Sequence, residues 1–372
     1  MGRFKNIEIK GLLFEDFGEI FIQTINNAIK SSNHIEEEAF KKIAPEFENL
    51  KTKFEESIST HYLDNHKFNL DNFLKIHFKN QKQIAKTNKD SFISFILYVN
   101  ACVIVYEKII EKLKRKKVDS TLKITVALYG LVLRRTQEIV DLLLSGYIDG
   151  AMVIWRSLYE NAIILLVLAF ENDNKLADKY FEHSIRNSKR KIVSYNKNHK
   201  ELEFPPLPKT TEKVLQSETE KMNSLYGMEF LDNEYGWADS LFKGKQKANF
   251  MLLEERVEMN RFRPYYILCC EQVHSNFNGF KHFMEGNKII LPRFLRQEIE
   301  LRSFIDPMQF TISILHEVND FILYEFSIEE EFNVNVLFMT KMFEKQQNTF
   351  NSKRKGRAAN SKIPASRVSV LR

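Results

Sequence analysis

Glycine and proline are scarce in this chain, 12 and 8 of its 372 residues, and strict alternation of apolar and polar residues is nearly absent. That excludes architectures made of many short strands joined by tight turns, and favours long helices. Cysteine is scarcer still: Cys102, Cys269 and Cys270 are the whole set. Two are adjacent and no CxxC spacing exists, which excludes a disulfide framework and fits a reducing cytoplasm. A long uncharged apolar run is also missing. Phe92 to Tyr106 is short and interrupted by Ser94 and Asn100, while Ala151 to Phe170 carries Arg156, Glu160 and Asn161. Neither reaches the roughly 18 uncharged residues of a spanning helix, and no apolar leader follows Met1. The expectation is a cytoplasmic protein with no membrane partner.

Familiar catalytic signatures are lacking as well. There is no Gly-rich phosphate loop, no GxSxG elbow and no paired catalytic carboxylate motif. His316-Glu317 has no second histidine to complete HExxH, and His274 and His282 lack carboxylates at zinc-ligand spacing. No metal and no cofactor are expected, and the common nucleotide-, dinucleotide- and hydrolase-type enzymes are excluded.

The net charge of +6 suggests a polyanion partner until it is located. Lys353, Arg354, Lys355, Arg357, Lys362, Arg367 and Arg372 lie after Asn351 with no acid among them. Removing these seven from +6 leaves Met1 to Phe350 at −1, so the folded part is not globally basic. Phenylalanine is abundant at 31; with plentiful Lys, Asn and Ile this fits the codon bias of an AT-rich genome and carries little functional weight.

What is present is helical periodicity. The pattern predicts an all-α chain: an antiparallel helical bundle over 91–346, an N-terminal helical accessory extension over 1–90, and a basic, disordered or foreign tail over 347–372. Asn80 to Lys89 reads as a connector. Helices are expected over Ser91–Lys114 and Ser120–Leu144, the latter stopped by Ser145-Gly146. A third, capped by Asp149, carries the apolar run, and a fourth extends from Asp173 to Asn198. Phe204 to Pro208 reads as a rigid connector, Thr210–Tyr226 as a helix, and Gly227–Gly244 as a loop. Further helices follow over Ala248–Met259, Pro264–Met284, Arg293–Arg302, Pro307–Phe326 and Ile328–Glu344, with Pro264 and Pro307 in first turns.

Two polar centres stand out. Arg156 and Glu160, four apart, share a face of the otherwise apolar third helix, with Ser157 and Asn161 beside them. Enclosing charge there is costly without partners. Either the pair is an internal salt bridge, or Glu160 holds Arg156 as a ligand for an anion such as phosphate. The second centre runs from Tyr265 through Tyr266, Cys270, Glu271, Val273 and His274 to Phe277. There His274 is the natural acid or base near neutral pH, or else a structural residue at the core margin. Cys269 and Cys270 read as small core residues.

At these centres the chain resembles a bacterial domain-of-unknown-function family, number five-six-seven-seven in that series. The matching segments are Leu143 through Glu160, Trp237, Tyr266 and Val273-His274-Ser275, over roughly Ser120 to Glu285. The resemblance implies an all-helical bundle. The bundle is also similar to the HEPN group of helical proteins, many of them metal-independent ribonucleases of toxin–antitoxin and phage-defence systems. Those carry Arg and His a few residues apart on one helix; here no Arg is followed by His at that spacing, so Arg156 and His274 would have to meet from two helices.

The implied function is a defence- or stress-linked effector, a HEPN-like metal-independent ribonuclease. Arg156, Glu160 and His274 would be its catalytic residues, and Tyr159, Trp237, Tyr266 and Ser275 its substrate contacts, with RNA as partner and a homodimer as its assembly. The competing expectation is a non-catalytic helical binding or regulatory protein, whose Arg–Glu–His set holds the bundle together.

Overall fold

The computed structural model describes residues 71, 73–114, 117–244, 246–274, 284–285, 288–289 and 301–325, together with 341, 344 and 348. Two compact units divide the chain, Met1–Ile76 and His77–Arg372; the helices described below belong to the second. The expected helices before Asp71, over 293–300 and over 328–344, and the tail, lie outside the described residues or nearly so. The unit boundary falls at 76/77, where the sequence placed it at 90/91.

The fold is all-α. Among the described residues the only strands are a two-residue antiparallel pair, Met284–Glu285 with Lys288–Ile289. Residues 77–87 are helical, not a connector, because Ile84 is fully enclosed while Asn88 bonds back to its carbonyl. Helix α1 (Lys89–Leu113) and α2 (Ser120–Leu144) follow. Asp119 caps α2 by accepting from the Leu122 amide at 2.8 Å, satisfying one of the orphan donors at a helix start.

The α2 stop is a Schellman turn. Gly146 takes φ +78°, its N–H donates to the Leu143 carbonyl, and the Tyr147 N–H donates to the Leu142 carbonyl. Only glycine enters that left-handed region without penalty. The chain then reverses into α3 (Ile148–Glu171). Tyr147 occupies the N-cap position and Asp149 sits in the first turn, so Asp149 serves the helix dipole instead of the expected cap.

Helix α3 is the centre of the bundle. It packs against α2 and, from later in the chain, against α4 (Asn174–Glu182), α8 (Phe250–Arg256), α9 (Arg263–Val273) and α10 (Leu301–Glu325). By length and composition both α1 and α3 are apolar enough to cross a bilayer. In α3 that apolar length is core: Trp155, Leu158, Tyr159, Ala162, Ile163, Leu165 and Val167 have no exposed surface. Trp155 stacks on Tyr159 at 5.2 Å between centroids and meets Phe310 edge-on.

The single helix expected over Asp173–Asn198 is two, α4 and α5 (Ser184–Asn198). The break falls at His183, whose ring turns inward to Asn233 O at 3.0 Å and stands edge-on to Phe230. Helix α6 (Lys209–Tyr226) returns beside α5. Gly227–Gly244 is not a plain loop: it holds one turn of α7 (Glu229–Asp232) and a 3-10 helix over Gly236–Leu241. Asp239 organises it, accepting from the Asn233 amide and the Ala248 N–H, both at 2.7 Å. Helix α9 stops at Val273, short of the expected Met284, because His274 turns extended with ψ 130°. Pro264 does lie in its first turn. Pro307 does not: it sits inside α10, which begins at Leu301, so one internal helix bond is missing there. Cys102, Cys269 and Cys270 are free thiols.

Candidate functional site

Arg156 and Glu160 project from one face of α3, one turn apart. Arg156 Nε donates to Glu160 Oε1 at 3.0 Å, with the two side chains 24% and 33% exposed. The pair is thus neither solvated nor sealed in. Tyr266, on α9, donates its hydroxyl to the same Glu160 oxygen at 2.7 Å. The Tyr266 ring lies under two guanidinium groups, Arg156 at 5.4 Å and Arg263 at 5.3 Å from its centroid, within the range of a cation–π attraction.

A second carboxylate lies deeper. Glu254 of α8 has no exposed surface and is paired with Arg263. The Tyr159 hydroxyl is 2.8 Å from Glu254 Oε1 and 2.9 Å from the Met259 carbonyl. Two carboxylates, two guanidiniums and two phenols therefore form one seam between α3, α8 and α9. Each carboxylate has one cation and one phenol, the compensation that an enclosed charge requires.

Burial pushes the Glu254 carboxyl above its usual range, partly offset by Tyr159 and Arg263. Burial and the bond to Glu160 hold the Tyr266 phenol protonated far above its ordinary value. Burial and Glu254 do the same for Tyr159, and burial with Glu234 and Glu160 for Tyr235. For Arg156, burial acts downward but Tyr266 and Glu160 outweigh it. Arg156 is a permanent cation, and the seam's phenols are donors, not bases.

Four of the residues singled out in the sequence come together here: Arg156, Tyr159, Glu160 and Tyr266. His274 does not join them. It is exposed at the C-cap of α9, and none of the hydrogen bonds or ion pairs of Arg156 and Glu160 among the described residues reaches it. Helices α3 and α9 run antiparallel: Tyr266 meets Glu160, and Cys269 feels the charge of Arg156. His274 lies five residues beyond Cys269, about 7 Å further along the helix, towards the Gly150 end of α3. Tyr159 and Trp237, expected as substrate contacts, are enclosed at 0% and 2% exposure. Tyr159 belongs to the core stack, and Trp237 packs edge-on to Tyr180 at 5.1 Å. Neither offers surface to a ligand. Ser275 lies outside the described residues.

Residues 122–289 match the model of a family of unknown function, DUF5677. The similarity to that family covers this segment, 168 of the 372 residues. The matched DUF5677 segment includes α3, α8, α9 and the seam they form. No curated protein matches the chain. No solved structure matches it either.

Sequence reading missed Glu254 and Arg263, because both sit in charge-rich stretches that look solvated. It also missed α5. From His183 to Lys200 there are six cations, Arg186, Lys189, Arg190, Lys191, Lys197 and Lys200, and no acid. Helix α5 buries no residue. At 100° per residue, Arg186, Lys189, Arg190, Val193 and Lys197 fall within one third of the helix circumference, and Lys200 follows in the turn beyond Asn198. Arg186 is half-buried and the other five are exposed. None of these cations is in an ion pair among the described residues. With Met1–Phe350 at −1 overall, this +6 stretch stands against −7 elsewhere. The signal was present as an acid-free run with helical spacing, but a single net charge averaged it away.

Proposed function

We propose that this protein is an RNA-directed effector that holds the phosphodiester backbone along the basic face of α5. The carrying observation is that stripe: cations in register along one exposed helix face, with no acid in the segment. Such a stripe is the electrostatic footprint of polyanion binding, and each phosphate it neutralises releases counterions. Fluorescence anisotropy of the full chain with labelled single-stranded RNA, titrated across salt, tests it. The logarithmic slope should flatten by roughly 1.4 in Arg190→Ala/Lys197→Ala, about 0.7 for each phosphate no longer neutralised. An unchanged slope would place any binding on the tail or elsewhere and reject α5. Duplex DNA in the same assay reports whether RNA is preferred.

Cleavage is the finer part of this proposal, with a defence- or stress-linked role in the cytoplasm. Arg156, anchored at Nε by Glu160, is suited to stabilise charge on a phosphate, and His274, exposed at the C-cap of α9 beyond the seam, would have to reach the same phosphodiester through the bound RNA. In that scheme the ribose 2′-oxygen attacks phosphorus and the 5′-oxygen leaves. His274 would take the 2′-hydroxyl proton or supply one to the leaving oxygen, giving a 2′,3′-cyclic phosphate and a 5′-hydroxyl. Incubation of end-labelled RNA with EDTA present reads this directly. Cyclic-phosphate ends that vanish in His274→Ala support it; intact RNA with folded protein removes it.

A second reading is favoured by the pairing within the seam, where every carboxylate already has its cation. Here the Arg–Glu set holds α3, α8 and α9 together and the protein binds without cutting. Retained RNA binding with no cleavage selects this reading.

A further inference from the structure

Helix α1 is apolar on two opposite faces. Phe95, Tyr98, Cys102 and Ile109 are fully enclosed on the inner one. On the outer one Ile93, Leu97 and Ile104 are 47%, 50% and 52% exposed. A helix that is hydrophobic on both sides is normally covered on both sides, and here the outer side faces solvent. The exposed positions recur at Ile93, Leu97, Asn100, Ile104, Glu107 and Glu111. Their spacing alternates four and three, which is the heptad seam of two paired helices. A single Asn at such a seam is the device that fixes register and orientation at some expense of stability.

We propose that the outer face of α1 is a homodimer seam, on which α1 of a second copy packs antiparallel about a two-fold axis at Asn100. Isologous contacts of this kind require a self-complementary patch, and the arrangement of charges supplies it. Lys89 lies eleven residues before Asn100 and Glu111 eleven after, and eleven residues is three helical turns. Both therefore share the face of Asn100. An antiparallel copy sets Lys89 over Glu111 at each end, whereas a parallel copy would set like on like. The same axis brings Leu97, three residues before Asn100, beside Ile104 of the copy, four after its own. Ile93 then meets the aliphatic stem of Glu107, and the two Asn100 amides face each other across the axis. Asp90 lies some 100° round from Lys89, at the margin of the seam.

The test is sedimentation equilibrium of the full chain across the micromolar range. A reversible monomer–dimer equilibrium is expected. Leu97→Glu/Ile104→Glu should be monomeric with unchanged far-ultraviolet circular dichroism, since both residues are exposed. Lys89→Glu and Glu111→Lys should each weaken the dimer by about five-fold or more, as each breaks two exposed ion pairs. The double variant Lys89→Glu/Glu111→Lys should recover most of that affinity, a rescue that no general destabilisation produces. The proposal is overturned by a monomer at every concentration, which would leave the face to a membrane or another protein. A dimer indifferent to Leu97→Glu/Ile104→Glu, or a double variant no tighter than the singles, overturns it equally.

Discussion

Removing Arg263 leaves Glu254 charged and enclosed, with the Tyr159 hydroxyl as its remaining polar partner among the described residues. Glu254 has no exposed surface, while the Arg263 side chain is 33% exposed. Breaking a fully buried pair in this one-sided way costs ~3–5 kcal/mol. Water reaching the Arg263 position moderates that, so Arg263→Ala should cost about 2–3 kcal/mol, within the range for an unpaired buried charge. For a domain of this size that corresponds to a melting shift of roughly 4–10 °C. The decisive part is the sign of the double variant. Arg263→Ala/Glu254→Gln removes the stranded charge while keeping the shape, so it should be more stable than Arg263→Ala alone. Thermal and urea unfolding at pH 7, followed by circular dichroism, measures both. If Arg263→Ala lies within about 0.5 kcal/mol of the parent, as ordinary surface changes do, or if the double variant is the less stable of the two, Arg263 does not compensate the Glu254 charge.

The same carboxylate sets a pH dependence. Its folded value is raised, so the folded state binds the proton more tightly than the unfolded chain, and this contribution to stability is lost as pH rises from about 4.5 upward. Glu254→Gln should flatten that part of the stability–pH profile; an unaltered profile would assign it to another group. Tyr266→Phe deletes one hydrogen bond to Glu160 and should cost about 1–2 kcal/mol while leaving the Arg156–Glu160 pair in place. Loss of RNA affinity in that variant beyond its loss of stability would show that the seam itself contacts ligand. In the core, Asn319 accepts from Tyr129 at 2.5 Å and approaches Tyr98 and Cys102 at 3.3 and 3.2 Å. Asn319→Leu strands the enclosed Tyr129 hydroxyl and should cost ~2–3 kcal/mol by chemical denaturation. At Gly236 an added methyl would collide with the backbone carbonyl of Phe230, so Gly236→Ala should lose ~1–3 kcal/mol despite its small size; a neutral result would mean that the turn yields.

Local chemistry determined much of this protein from the sequence alone. The Ser120–Leu144 helix begins and ends where its pattern says, because Asp119 caps it and Gly146 permits the turn that stops it. The all-α class and the partnered Arg156–Glu160 pair follow from periodicity and from the cost of enclosing charge. Tertiary structure decided what local pattern cannot carry. His183 breaks a continuous helical pattern because its ring finds Asn233 and Phe230, which lie some fifty residues away. Helix α9 delivers Tyr266 to Glu160 across 106 residues of chain but carries His274 past Arg156. Glu254 looks like any surface glutamate until the packing of α8 against α3 removes its water. Spacing along one helix fixes which side chains share its face. Which face another helix covers is set by burial summed over the whole bundle, and that sum belongs to no single segment.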